Sequence, residues 1–216
     1  KWHAYDLKTW DKVLTAIQDV ATKETRLSVP ILYGIDAIHG ANYTQNSTLF
    51  PHNIGMAAAR DRALVKEGAA ITAKEVRASG HRWNFDPTLG VGRQPLWSRF
   101  EETFGEDTYL ASEMGAEVIK GYEEKGLDHH EAVASCMKHF IGYSNPRSGK
   151  DRTPAYMTDR ELREHYLPTF QAAVDAGTST VMINSGELDG MPVHASKYLL
   201  TDVLRGELGF KGMVVS

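Results

Sequence analysis

The sequence predicts an α/β fold, an incomplete (β/α)8 barrel of TIM type with about five of its strands present. Three observations predict it. Five short apolar runs alternate with segments of helical periodicity along the whole chain, the pattern of parallel strands joined by helical crossovers. Polar residues stand just past the ends of several different runs: Asp36, Asp86, the pair Lys138-His139, and Asn184. Barrel enzymes gather functional groups at the C-terminal ends of their strands in this way. An open doubly wound sheet would instead favour one switch point with a glycine-rich turn, and no G-x-G-x-x-G occurs.

The elements follow in order. Val13, Ile17 and Val20 mark a helix ahead of the first strand, residues 30–35. A second helix starts at Asp61, puts Val65, Ala69, Thr72 and Val76 on one face and stops at Gly80. The second strand is 83–85. A helix capped by Asp107 then carries Leu110, Met114, Val118 and Tyr122 to Gly126, ahead of a strand over 133–137. Thr158 and Glu161 have capping-box spacing and open a helix that closes at Gly177, with Pro168 expected to break or kink it after Leu167. A strand over 179–183, a helix through Tyr198, Leu199, Val203 and Leu204 to Gly209, and a strand over 213–215 complete the series. No internal repeat and no low-complexity linker interrupt it.

At 216 residues the chain can bury one sizeable core. A net charge of -4 offers no basic field for nucleic acid, and no apolar run approaches the ~20 residues of a membrane span. The single cysteine, Cys136, cannot form an internal disulfide or a zinc cluster. The chain begins at Lys1 without a signal peptide, as expected of a processed or trimmed N-terminus. Two glycosylation sequons open at Asn42 and Asn46, in tripeptides that are frequent by chance.

Three places carry candidate chemistry. Lys138-His139 at a strand end could bind hydroxyls, stabilise an anion or form a Schiff base; alternatively the strand ends there in solvent. Arg99 lies in a long loop, 87–105, where Trp97, Phe100 and Phe104 interleave with Arg93, Glu101 and Glu102. Ring faces pack on sugar C–H surface and charged groups bond hydroxyls, although a buried Trp97 with solvated charges is the plain alternative. Asp36, in Tyr33-Gly34-Ile35-Asp36, could accept bonds from two hydroxyls or cap the next turn. Metal and serine-hydrolase motifs are missing: no H-E-x-x-H, no G-x-S-x-G, and His129 and His130 are adjacent, so they diverge on a helix or strand. Gly149-Lys150 fails as a phosphate loop because Ser144 and Asp151 replace required residues.

Six blocks, in order, resemble the N-terminal domain of glycoside hydrolase family 3, the β-glucosidase and exo-glucanase family. They are 33–40 around Asp36, 50–55, Gly92 to Asp107, Lys138-His139-Phe140-Ile141-Gly142-Tyr143, Val181-Met182-Ile183-Asn184, and 209–216, so the resemblance covers about residue 27 to the last residue. It implies a retaining double displacement on terminal β-glucosyl residues, with an aspartate nucleophile and a glutamate acid/base. The nucleophile is expected as the residue directly after Ser216 and the acid/base in a following domain, so residues 1–216 would be a partial barrel that is inactive alone. Carried over by position, Asp36, Arg99, Lys138 and His139 would hold the hydroxyls of the glucosyl unit.

The resemblance implies no cofactor and no metal. Its partners would be a β-gluco-oligosaccharide or aryl β-glucoside and the rest of the same polypeptide, with no nucleic acid and no membrane, in a periplasmic or secreted setting. Three departures stand out. Ser185 replaces a tyrosine of some members, Asp86 stands where many have a small residue, and the loop of the N-acetyl-glucosaminidase branch is missing, which favours neutral β-glucosides. The rival readings are a carbohydrate-binding module without chemistry and a Schiff-base lyase using Lys138. With two unpaired edge strands the fragment is expected to fold poorly by itself or to be part of a longer polypeptide.

Overall fold

A computed structural model describes residues 4–216. Its strands are β1 (Gly34–Ile35), β2 (Trp83–Asn84), β3 (Cys136–Phe140), β4 (Thr180–Ile183), β5 (Glu187–Leu188), β6 (Met191–Pro192) and β7 (Met213–Val215). β1 pairs with β2, β3 with β4, and β4 with β7, every pair parallel. Parallel bridges Trp83–Ala134 and Thr88–Lys138 join β2 to β3. The five expected strands therefore run side by side in chain order, as in a barrel wall, while β5 and β6 form an antiparallel hairpin in the loop after β4.

The helices are α1 (Leu7–Asp19), α2 (Asn53–Ala58), α3 (Arg62–Ala78), α4 (Thr108–Glu123), α5 (Asp159–Glu161) and α6 (Leu167–Asp175), with a π-helical segment over Tyr198–Glu207. The expected caps form. Asp61 accepts from the Leu64 amide at 3.1 Å, Asp107 from Leu110 at 2.6 Å, and Thr158 from Glu161 at 3.2 Å. α3 buries Val65, Ala69, Thr72 and Val76, and α4 buries Met114, Val118 and Tyr122. These two helices approach closely at Gly121, where a Cβ would stand 2.6 Å from both the Ala69 Cβ and the Lys66 carbonyl. Gly80, past the end of α3, takes φ 91°, which only glycine adopts freely.

The main core lies between the strands and α3, α4 and α6, around Val65, Ala69, Val118, Met137, Phe140, Phe170, Val181 and Ile183. Each fully buried side chain of this kind contributes about 1.5–3 kcal/mol. A smaller apolar cluster, Trp83, Ala134 and Cys136 with Phe85, Met182 and Val215 against it, occupies the other face of the strands.

Several expectations need correction. The first strand is two residues long rather than six, because the Gln18 side chain bonds both the amide and the carbonyl of Ile31, at 3.0 and 2.6 Å. The third starts at Cys136, since the preceding Ser135 amide goes to Glu123 at 2.7 Å, and it runs on to Phe140, so Lys138 and His139 lie within the strand. The helix that Thr158 opens is interrupted where Pro168 is expected to disturb it. The interruption takes the form of a π-helical turn, Leu162–Tyr166, and α6 restarts after it with Pro168 in its first turn, where its missing N–H costs nothing. α1 buries Trp10 and Leu14, whereas Val20 is exposed. His129 and His130 lie in a turn, where their rings stack at 4.5 Å instead of diverging.

Candidate active site

Strand pairing decides which way each functional side chain points. Residues level with one another in parallel strands share a face, and successive residues alternate. Lys138 is level with Met182, and Met182 with Val215. Met182 and Val215 pack with Trp83 and Cys136, so this inner face, away from the helices, also carries Lys138. Gly34 is level with Trp83, which places Asp36, two residues on, at the mouth of that face. Asn84 and Asp86 have the opposite parity and point to the helices.

Asp36 and Lys138 meet at this mouth; the register shifts between Lys138 and Phe140, so alternation fails there and His139 packs on Tyr143 together with Arg99 beside the pair. The Lys138 Nζ donates to the Asp36 Oδ1 at 2.8 Å, and the pair is asymmetric, with side-chain exposures of 1% and 49%. Burial of Lys138 removes the reading of a strand that merely ends in solvent. A buried ammonium needs its partner, while the half-open carboxylate keeps lone pairs free for hydroxyls.

Arg99 reaches the same region from the loop after β2. It donates twice to Glu102, both at 2.8 Å, and its Nη1 reaches the Tyr143 hydroxyl at 3.4 Å. The guanidinium also lies 5.6 Å from the Tyr143 ring centre. Burial works against the charge of Arg99, but the bonds to Glu102 and the carboxylate beside it outweigh burial and raise its pKa. The His139 ring packs on Tyr143 at 4.4 Å, and its buried Nδ1 has no partner. Burial first, then the cations of Lys138, Arg99 and Arg152, hold its pKa well below the ordinary value. A neutral imidazole with spare hydrogen-bonding capacity results. Thr88, bridged to Lys138, brings its hydroxyl to Glu102 at 3.5 Å and ties the two ion pairs together.

Glu102 and Tyr143 are the residues that sequence reasoning did not single out. A signal for Glu102 existed, since Arg99 and Glu102 have i, i+3 spacing and form a single turn of 3-10 helix. Trp97 takes the plain alternative. It is buried and donates its Nε1 to Asp151 at 2.9 Å, so it anchors the loop and offers no open platform to a sugar. Asn184, just past β4, spends its side chain on the backbone, donating to the Ile141 carbonyl at 2.8 Å and accepting from the Gly186 amide at 2.6 Å. Cys136 is buried and free, and burial pushes its thiol up to about 12, which makes it a poor nucleophile. Among the described residues no three His, Cys, Asp or Glu side chains group as metal ligands, and no helix is long and apolar enough to cross a membrane.

An arrangement of two tethered cations, a half-open carboxylate and a neutral imidazole at the C-terminal ends of the strands suits a neutral polyhydroxyl ligand, which needs donors and acceptors close together. Comparison with known proteins identifies the family. The lysosomal beta glucosidase of Dictyostelium discoideum is 45% identical over 99% of this chain and 27% of its own length. The exo-1,3/1,4-beta-glucanase of a Pseudoalteromonas species superposes with a TM-score of 0.91 at 35% identity, over 100% of this chain and 28% of that one. The beta-glucosidase of Listeria innocua in complex with glucose gives 0.86 at 36% identity, over 93% and 28%. The chain thus spans somewhat over a quarter of these relatives. Residues 4–216 match the glycosyl hydrolase family 3 N terminal domain, and with that fold and that mouth the chain belongs to glycosyl hydrolase family 3.

Proposed function

We propose that this chain supplies the glucosyl-binding subsite of a retaining β-glucosidase acting on terminal, non-reducing β-D-glucosyl residues. The observation that carries the reading is the asymmetric Lys138–Asp36 pair, closed on the lysine side and open on the carboxylate side, with Arg99 and His139 meeting on Tyr143 beside it. Asp36 accepts hydrogen bonds from sugar hydroxyls, Lys138 and Arg99 donate to them, and neutral His139 adds a further partner. β-Gluco-oligosaccharides and aryl β-glucosides are the substrates that fit.

The chemistry is a double displacement. An aspartate carboxylate forms a bond to the anomeric carbon while the glycosidic C–O bond breaks and a glutamic acid gives its proton to the leaving oxygen. Water then attacks the glycosyl-enzyme, the same glutamate takes the water's proton, and the aspartate leaves with the β configuration retained. Val215 shares the inner face with Lys138, so the residue two positions on, directly after Ser216 in a polypeptide that continues, projects onto that face again. That is the place for the nucleophile.

Residues 1–216 are then a partial barrel completed by further chain, and the acid/base comes from a following α/β sandwich domain. Exposed Met213 and Val214 on β7, together with Leu27, Val29, Ile31 and Leu32 ahead of β1, support an extended apolar contact with such chain. A periplasmic or secreted setting is supported by the periplasmic beta-glucosidase of Salmonella typhimurium, 34% identical over 93% of this chain.

The test is turnover of p-nitrophenyl β-D-glucoside by the full-length polypeptide, followed by NMR of a natural β-glucoside. The expected result is β-D-glucose as the first product, and none from the 216 residues alone. First release of the α anomer would overturn the retaining mechanism. Glucose binding without turnover would make the protein a carbohydrate-binding module instead.

A further inference from the structure

A chain of buried hydrogen bonds runs behind the sugar subsite, on the helix side of the strands. Asp86 stands at its inner end. Its carboxyl lines, with Ile38, His39, Asn53 and Thr72, a cavity of about 30 Å³, room for one water. Asp86 Oδ2 accepts the Tyr122 hydroxyl proton at 2.7 Å, and Oδ1, also buried, has no partner. The Tyr122 oxygen in turn accepts from Asn84 Nδ2 at 3.2 Å. Asn84 grips both peptide groups of Ala37, accepting from its amide at 2.8 Å and donating to its carbonyl at 2.9 Å. Ala37 is the residue after Asp36. The chain ends on the backbone that carries the open carboxylate of the subsite.

We propose that Asp86 is a positioning residue for sugar binding: through Tyr122 and Asn84 it fixes the Ala37 peptide and thereby how Asp36 meets Lys138 and the sugar hydroxyls. The inference rests on the glucosyl-subsite reading above. A small residue at position 86, as the family resemblance leads one to expect, would leave Tyr122 without this acceptor, so the arrangement tunes this chain's own subsite.

Asp86 can switch. The titratable or charged groups that face it are Tyr122 from α4, Lys138 from β3, Glu102 from the turn after Arg99, Asp36 from the end of β1, and His39 across the cavity, while α2 and α3 line the same cavity with uncharged residues only. Burial raises the Asp86 pKa to about 7, the Tyr122 bond and the Lys138 charge oppose the rise, and Glu102 and Asp36 add to it. His39 stays neutral in that range, its pKa lowered by burial and then by His52. Ionised Asp86 is the stronger acceptor for Tyr122. Protonated Asp86 loosens Tyr122 and so Asn84 and Ala37. Sugar affinity therefore rises as pH rises through neutrality.

The test uses the full-length polypeptide and glucose, which carries no charge of its own, as a competitive inhibitor of p-nitrophenyl β-D-glucoside hydrolysis. Ki is measured across about pH 5.5 to 8.5 for the wild type, Asp86→Asn, Tyr122→Phe and the double variant. The wild-type Ki is expected to fall roughly threefold to tenfold as pH rises, and each variant to flatten that dependence. KM should follow Ki while kcat at fixed pH changes less than about twofold, and the double variant should be no worse than either single one.

An Asp86→Asn curve that superimposes on the wild type, or additive effects of the two substitutions, overturns the proposal. Should Asp86→Asn not fold, Tyr122→Phe alone decides, because it keeps the ring and removes only the hydroxyl. A wild type that does not hydrolyse the glucoside fails at the earlier step and overturns the subsite reading together with this one.

Discussion

The two ends of the β3–β4 pair are built on opposite terms. At the N-terminal end Glu123, the last residue of α4, closes every option: its Oε1 accepts from the Ser135 amide at 2.7 Å, the Ser135 hydroxyl and the Ser179 amide at 3.1 Å, and its Oε2 accepts from the Ser179 hydroxyl. At the C-terminal end polar capacity is left unspent. Asp36 is half exposed, and His139 Nδ1 and Asp86 Oδ1 are buried with no partner. A group held by four hydrogen bonds has nothing left for a ligand, and a group without partners costs stability. The difference teaches that one rim of the barrel holds the strands in register while the other gives up stability to keep hydrogen bonds available, as barrel enzymes divide their two faces.

Substitution at the open rim should separate activity from stability. Lys138→Met replaces a buried cation by an apolar chain of similar length and releases Asp36 to solvent. It is expected to lower kcat/KM on p-nitrophenyl β-D-glucoside by about 100-fold to 1000-fold with Tm unchanged or raised, since buried ion pairs add little net stability. Loss of Tm in step with activity would erase the contrast. At the closed rim the signature reverses. Glu123→Ala should cost about 3 kcal/mol in denaturant unfolding, through four orphaned donors, with kcat of the folded enzyme intact.

Two smaller effects sharpen the comparison. Gly121→Ala drives a methyl group into Ala69 and the Lys66 carbonyl at the α3–α4 contact. The expected cost is about 1–3 kcal/mol, again without change in kcat. Asp86 gives a pH signature. Its folded pKa, about 7, lies above the unfolded value, so its contribution is most favourable below the unfolded pKa and is lost as pH rises through 7. Asp86→Asn should therefore raise Tm relative to wild type at pH above 7 and lose that advantage steadily as pH falls from 7 to the unfolded value of 3.8. An equal shift at both pH values would mean that the carboxyl does not titrate there.

Much of this was legible in the chain. Alternating apolar runs placed five strands, and Asp61, Asp107 and Thr158 announced helix starts because capping is local, a matter of three residues. Asp36 stood out as a polar residue just past a strand, whereas Arg99 in its loop and Lys138 and His139 inside β3 were grouped with it by the family resemblance. What joins them was not legible. Gln18 taking the Ile31 backbone, Tyr143 standing between Arg99 and His139, and Tyr122 reaching Asp86 from 36 residues away are contacts that only the closed fold brings about. The length of the third strand was missed for the same reason, since a glutamate on a helix decides where its ladder begins.

In the proposed subsite one glucosyl unit sits among Asp36, Arg99, Lys138 and His139. A crystal of the full-length polypeptide soaked with glucose tests it most directly. A single pyranose is expected, with hydroxyls within hydrogen-bond distance of Asp36 and Lys138 and in reach of Arg99 and His139. Glucose ordered elsewhere, with the Lys138–Asp36 pair untouched, would contradict it.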